Sequence, residues 1–210
     1  MNSRARAHPL PQPGALSRRQ CLVAGAGALM AGGATRRALA HTSFGPVTPP
    51  AAAPSLTLTS AEGAEGGKPT SLHSLLKGHV TAVQLMFTGC SATCPIQGAI
   101  FADAQTQLAA AGPELRLLSL SIDPLADSPQ ALKQWLGRFN AQPARWAAAV
   151  PRMQDVDALI DFLRGRASGA DKHTAQAFLF DRQARLAFRT ADMPAGGDLA
   201  SLMQQLAARR

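Results

Sequence analysis

The stretch that decides how this chain folds is Leu85-Met86-Phe87-Thr88-Gly89-Cys90-Ser91-Ala92-Thr93-Cys94-Pro95. An apolar run over residues 80–87 ends in a turn of small residues with two cysteines, and a segment of helical periodicity follows. The first turn of a helix has unpaired N–H groups, which lower the pKa of a nearby thiol. Pro95 suits that turn, where a missing N–H costs nothing. Two sulfurs four positions apart could close a short disulfide or hold one soft metal ion.

Charge is distributed unevenly along the 210 residues. The formal net charge is +8, but six of the 21 basic residues, and none of the 13 acidic ones, precede residue 41. The charges after that point nearly balance, form no basic stripe and come with few aromatic residues, which argues against a nucleic-acid partner. The chain has three cysteines. Cys21 lies in the amino-terminal segment, and the other two are Cys90 and Cys94. A pair of thiols in a domain of this size indicates a redox or metal pair.

The amino-terminal segment has the features of an export signal. Arg18 and Arg19 precede a modestly apolar run over residues 22–34, and Ala38-Leu39-Ala40 matches a small-x-small cleavage site. We therefore predict that residues 1–40 are a twin-arginine-type signal, cleaved before His41, and that the protein is periplasmic. The alternatives are an uncleaved signal that anchors the protein to the inner membrane, and a disordered basic tail.

After this segment, residues 41–54 contain four prolines and are predicted to form a Pro-rich linker. Strand and helix patterns then alternate to the end of the chain. The predicted strands cover residues 56–58, 79–87, 115–122, 146–150, 175–180 and 185–189, and the predicted helices cover 71–76, 95–110, 129–139, 156–163 and 199–206. This order, with a cysteine pair at a strand-to-helix junction, predicts that residues 55–210 form an α/β thioredoxin-like sandwich, a central mixed sheet flanked by helices. No pattern indicates an oligomer, so a monomer is expected.

His173 stands where the chain enters the late hairpin. A thioredoxin-type oxidoreductase would have a proline there and a tighter Cys-x-x-Cys pair. In the predicted fold this loop returns beside the cysteine turn, so that Cys90, Cys94 and His173 would form a pocket of two sulfurs and one nitrogen. Thiolates select Cu(I), and an imidazole lets the same site hold Cu(II). A lone histidine at a strand entry can also be an ordinary surface or capping residue, and the residues alone leave both interpretations open.

Three blocks of sequence carry a family resemblance. They are Phe87-Thr88-Gly89-Cys90-x-x-x-Cys94-Pro95, then Ser119-Leu120-Ser121-Ile122-Asp123-Pro124-x-x-Asp127-Ser128-Pro129-x-x-Leu132, and then His173-x-x-x-x-Phe178-Leu179-Phe180-Asp181. In this order they resemble the SCO/SenC family of copper-binding thioredoxin-like proteins. The resemblance implies copper, as Cu(I) or Cu(II), bound by Cys90, Cys94 and His173. It also implies service to the dinuclear copper site of a haem-copper oxidase, although the recipient could be a similar periplasmic cuproprotein.

Two functions follow from these residues. As a metallochaperone, the protein would deliver copper to its recipient, or prepare the recipient's cysteines, and would need a thiol reductant as a second partner, because Cu(I) binding requires reduced thiols. As a thiol-disulfide oxidoreductase, it would use Cys90 to attack and Cys94 to resolve the mixed disulfide, without metal. A peroxidase is disfavoured because its Thr and Arg pattern is absent. Asp123 could support the metal ligands, but a strand end, turn and helix cap over residues 123–129 is the preferred interpretation.

Overall fold

A computed structural model of the protein describes residues 44–62, 67–167 and 172–209. Within these ranges a central sheet is flanked by helices on both faces. The strands are β1 (Gly45–Ala52), β2 (Thr57–Ser60), β3 (Lys68–Ser71), β4 (Val80–Met86), β5 (Leu115–Ser121), β6 (Trp146–Pro151), β7 (Phe178–Phe180) and β8 (Arg185–Arg189). The helices are α1 (Leu72–Leu76), α2 (Thr93–Gln107), α3 (Pro129–Arg138), α4 (Val156–Leu163) and α5 (Gly196–Ala208), with a 3₁₀ turn at Met153–Asp155 before α4.

The strands form one mixed sheet in the order β1-β8-β7-β4-β5-β6-β2-β3. The central strands β4, β5 and β6 are parallel, and the remaining pairs are antiparallel. Central parallel strands are covered on both faces, which is why β4 and β5 are nearly continuous apolar runs in the sequence. The predicted mixed α/β sandwich is confirmed.

Successive residues of β4 point into two different cores. Val80 and Ala82 belong to a cluster with residues of α2, α3 and α5, whereas Val83 and Leu85 belong to a cluster with residues of α1 and α4. This alternation follows from the period of two along a strand. As a result β4 is fixed from both sides, and so is the point at which the cysteine loop leaves it.

The structure corrects the predicted linker. Residues 45–52 form β1, an edge strand paired antiparallel with β8, although the sequence predicts a linker over residues 41–54. Proline cannot donate to a ladder but is tolerated at a sheet edge, and the register of β1 shifts between Pro46 and Ala51. The sequence also gives no sign of β3. The predicted export signal and residues 41–43 lie outside the described residues. In the parts of the chain that the structure describes, no helix has the length and apolarity to span a membrane.

Candidate metal centre

Cys90 and Cys94 lie on either side of the junction between β4 and α2. The backbone N–H of Cys90 donates to the carbonyl of Phe87 at 3.1 Å, which closes a tight turn, and the N–H of Cys94 donates to Cys90 Sγ at 3.3 Å. Neither cysteine is in a disulfide; Cys90 is partly exposed, whereas Cys94 is fully buried. The two thiols therefore share one site but differ in access to solvent.

The pKa of the Cys90 thiol is lowered from its ordinary value. Burial raises the pKa, but this effect is outweighed by hydrogen bonds from the Cys94 side chain and from the backbone N–H groups of Cys94, Ala92 and Thr93. These groups belong to the start of α2, where the helix leaves its first N–H groups unpaired. The first turn of α2 thus stabilises Cys90 as a thiolate, the form that binds metal and attacks disulfides.

His173 is brought to the buried side of this pair. Its side chain is 2% exposed, and its Nε2 lies 3.7 Å from Cys94 Sγ. Its Nδ1 lies 2.9 Å from the carbonyl oxygen of Thr174. Because a carbonyl can only accept, Nδ1 must carry the proton, and the neutral ring then presents the lone pair of Nε2 toward Cys94. This is the tautomer that binding of a metal ion through Nε2 requires.

Two backbone segments hold the loop that carries His173. On one side Arg166 pairs with His173 in an isolated antiparallel bridge, and the N–H of Thr174 donates to the carbonyl of Gly165 at 2.7 Å. Gly165 follows the end of α4 and packs so tightly that a methyl group there would lie 2.7 Å from Leu85 Cδ1. The position of the imidazole is therefore tied to the end of α4 and to β4.

On the other side, the segment after β8 closes against the same loop. The N–H of Ala175 donates to Asp192 Oδ1 at 2.8 Å, and the N–H of Met193 donates to the carbonyl of Ala175 at 3.0 Å. Ala175 thus bonds to the segment after β8 instead of joining a regular ladder, and β7 begins at Phe178 rather than at the predicted residue 175. The ring of Phe87 meets His173 edge to face, with centroids 6.2 Å apart.

The turn and helix cap predicted over residues 123–129 are both present after β5. Ser128 caps α3, since its side chain accepts from the N–H of Ala131. Asp123 accepts from the N–H of Ala126 within the turn, as the preferred interpretation expected. The carboxylate of Asp127 instead reaches back to Thr88 in the cysteine loop. Sequence reasoning missed this contact, and the residues offer no local signal for it.

The three predicted ligands thus lie as neighbours, Cys90 next to Cys94 and Cys94 next to His173. In the described parts of the chain, no three His, Cys, Asp or Glu side chains already converge as a metal-binding group. Cys90 Sγ faces the amide of Cys94 instead, so Cys90 would have to turn toward His173 to complete the set. Two thiolates and one imidazole whose Nε2 faces Cys94 Sγ fit a soft metal ion such as Cu(I).

Comparisons with known proteins bear on the family of this chain. The family model SCO1/SenC matches residues 64–207. An SCO1 protein homolog from Bacillus subtilis (strain 168) is 35% identical over 82 residues, which span 39% of this chain and 42% of the relative. The chain thus matches less than half the length of this curated relative.

Two solved structures have the same fold at low sequence identity. The first is BsSco, a member of the Sco family of cytochrome c oxidase assembly proteins; a disulfide switch has been identified in BsSco. Its sequence is 20% identical to this chain and the TM-score is 0.65, with 77% of this chain and 96% of that chain covered. The second is Bradyrhizobium japonicum ScoI with copper bound, with 20% identity, a TM-score of 0.60, and coverage of 74% and 99%. The thioredoxin-like sandwich expected from the sequence is the fold of these proteins. On the family match, this chain belongs to the SCO1/SenC family.

Proposed function

We propose that this protein binds one copper ion through Cys90, Cys94 and His173 and acts in the assembly of the copper site of a haem-copper oxidase. Copper-bound relatives and the oxidase-assembly role of BsSco support the proposal at the level of the family. The observation that carries it for this chain is the placement of His173 Nε2 3.7 Å from Cys94 Sγ, with Nδ1–H engaged by a carbonyl. A dithiol site that works without metal has no need of an imidazole in that tautomer.

The different exposure of the ligands supports transfer rather than storage. Cys94 and His173 are buried and fixed, whereas Cys90 is partly exposed at the start of α2. A thiolate of a recipient protein would therefore reach the cargo from the Cys90 side and replace Cys90 first. The ion would pass by exchange of one ligand for another, with no change in its oxidation state and with Cys90 released as a thiolate.

The proposal includes two partners and a location. The recipient is the copper-site subunit of a haem-copper oxidase or a similar cuproprotein. The second partner is a thiol reductant, because an oxidising compartment would otherwise close the two cysteines into a disulfide that cannot bind Cu(I). The Arg18-Arg19 pair and the following apolar run support export to the periplasm, with an uncleaved signal anchor as the alternative.

The test is a titration of the reduced full chain with Cu(I) and with Cu(II) against a competing chelator. One copper per chain is expected, with weaker binding in Cys90→Ala, Cys94→Ala and His173→Ala. Cys21→Ala is the matched control for a thiol elsewhere in the sequence, and His73→Ala is the control for an exposed histidine; both should bind like the wild type. Full affinity in His173→Ala would contradict the proposed ligand set.

Thiol-disulfide exchange is a second candidate, favoured by the lowered pKa of the partly exposed Cys90 beside the buried Cys94. The Cys90 thiolate would attack a partner disulfide and release one partner thiolate. The Cys94 thiolate would then displace the second, forming the Cys90–Cys94 disulfide and leaving the partner reduced by two electrons.

His173 separates the two functions experimentally. In His173→Ala, exchange with a model disulfide should continue while copper binding fails. A wild-type chain that binds no copper in competition but reduces the disulfide rapidly would move the protein to the oxidoreductase class.

A further inference from the structure

One buried carboxylate holds the loop that leads into Cys90. Asp127 is 2% exposed, and the backbone N–H of Thr88 donates to both of its oxygens at 3.1 Å. The hydroxyl of Thr88 also donates to Oδ1, and the hydroxyl of Ser121 donates to Oδ2 at 2.7 Å. Every one of these groups donates to the carboxylate, so the charge buried at Asp127 is well satisfied by hydrogen bonds.

These contacts join two places that are distant in sequence. Ser121 is the last residue of β5 and lies opposite Met86, the last residue of β4. The N–H of Ile122 donates to the carbonyl of Met86 at 2.9 Å, which continues the pairing by one step. Thr88 lies beyond the end of this ladder, so the Asp127 carboxylate takes over where the sheet hydrogen bonds stop.

Phe87 and Cys90 pack against the core on either side of this point, whereas the residue between Thr88 and Cys90 makes little contact. Gly89 follows Thr88, and a methyl group on Gly89 would meet only the ring of Phe87, at 3.8 Å. The turn from Phe87 to Cys90 is closed by a single backbone hydrogen bond. The conformation of this turn sets where Cys90 Sγ stands relative to the N–H of Cys94 and to the Cys94 side chain.

We propose that Asp127 is a positioning residue for Cys90: its carboxylate fixes Thr88 against the end of β5 and thereby holds the Cys90 sulfur at the start of α2, beside Cys94. Asp127 touches neither cysteine and acts through the backbone of the loop. The consequence for copper affinity rests on the proposed function, whereas the consequence for the Cys90–Cys94 disulfide does not.

Two substitutions separate the hydrogen bonds from the volume of the side chain. Asp127→Asn keeps one acceptor oxygen, which can still take the N–H of Thr88, but places an NH₂ donor among donors. Asp127→Leu removes every acceptor at similar size. The positioning role therefore predicts a graded series, with Asn intermediate and Leu the most impaired.

Asp181 supplies a matched control on the far side of the domain. It is 8% exposed, and its carboxylate accepts from the N–H groups of Gln183 and Arg185 at 2.9 Å each and from the guanidinium of Arg185 at 2.8 Å. These contacts organise the turn between β7 and β8. Asp181→Asn thus removes a comparable buried carboxylate without touching the cysteine loop.

The experiment measures the equilibrium of the Cys90–Cys94 disulfide with reduced and oxidised glutathione in the full chain, with Cys21→Ala as the common background. We expect the effective concentration of the two thiols to fall about tenfold in Asp127→Leu, because freeing the backbone of one residue changes an equilibrium by about that factor. Asp127→Asn should fall in between, and Asp181→Asn should match the wild type. Thr88→Val, which removes the hydroxyl donor, should lower the effective concentration when it is the only change at this site. Combined with Asp127→Leu, it should have little further effect.

Copper competition on the same variants should show the same order of affinities. A purely structural role is the outcome that overturns the inference: Asp127→Leu and Asp181→Asn would both lower the midpoint of urea unfolding, and neither would change the disulfide equilibrium. If the wild type binds no copper but the disulfide equilibrium follows Asp127, the proposed function fails and the positioning role stands.

Discussion

Substitution of Gly165 by alanine should damage both the stability of the domain and the position of His173. Gly165 is buried directly after α4, and a methyl group there would lie 2.7 Å from Leu85 Cδ1 and 3.4 Å from the ring of Phe178. Leu85 and Phe178 are both 0% exposed, so Leu85 Cδ1, although it ends a flexible side chain, can yield only by repacking its neighbours in the core. Overpacking of this kind costs about 1–3 kcal/mol.

The same substitution should affect the site because of what Gly165 holds. Its carbonyl accepts from the N–H of Thr174 at 2.7 Å, and the next residue, Arg166, pairs with His173. If Leu85 cannot yield, the backbone of Gly165 must move away from β4 and carry the His173 loop with it. We therefore expect weaker copper binding in addition to lower stability.

Urea unfolding followed by tryptophan fluorescence measures the first effect, and chelator competition measures the second. Gly137→Ala is the matched control, because Gly137 is exposed within α3 and a methyl group there has no neighbour within 4 Å. It should stabilise the protein by up to about 1 kcal/mol and leave copper binding unchanged. A Gly165→Ala protein that unfolds at or above the wild-type urea concentration would refute the reasoning.

Three further predictions concern residues around the two cores and the cysteine pair. Arg189→Met removes the donors to the last two carbonyls of α4 and should cost about 1–3 kcal/mol of unfolding free energy in urea titrations; an unchanged midpoint would show that the buried guanidinium contributes nothing net. Trp146→Phe removes the indole N–H that donates to Ser119 Oγ at 2.9 Å and should cost about 2 kcal/mol, measured by thermal unfolding against Ser119→Ala. Cys90 should be alkylated by iodoacetamide before the buried Cys94. The alkylation rate of Cys90 should rise and level off at a lower pH than that of a free thiol, whose pKa is about 8.5, because the lowered pKa of Cys90 makes it a thiolate earlier as pH rises. Equal labelling rates in peptide mass spectra would contradict this order.

Residues with a local signature could be placed from the sequence. The apolar run of β4, the small residues after it and Pro95 fix a strand, a turn and a helix start, so the location of Cys90 and Cys94 follows from neighbouring residues alone. The structure begins α2 at Thr93 rather than at Pro95, a difference within the usual spread of helix ends. For His173 the residues alone left open both a ligand and an ordinary surface or capping residue, and only the family resemblance implied the ligand role.

What the sequence could not place are contacts between distant segments. Prolines over residues 46–50 are typical of a linker, and only the neighbouring strand β8 turns that segment into an edge strand. Asp127 stands in the predicted turn before the cap of α3, and one of its hydrogen-bond partners, Thr88, is 39 residues away. Such pairings depend on which strand lies beside which, and no local propensity encodes that.

The sequence by itself determined the chemistry of the site: two thiols at a strand-to-helix junction, one imidazole at a later strand entry, and a core that alternates strand and helix. Tertiary structure decided the geometry. It places Nε2 of His173 beside Cys94 through the end of α4, and it joins Thr88 of the cysteine loop, through the carboxylate of Asp127, to Ser121 at the end of β5. The physical reason is that a thiol or an imidazole is a property of one residue, whereas a ligand set is a set of distances that only the packed sheet and its loops fix.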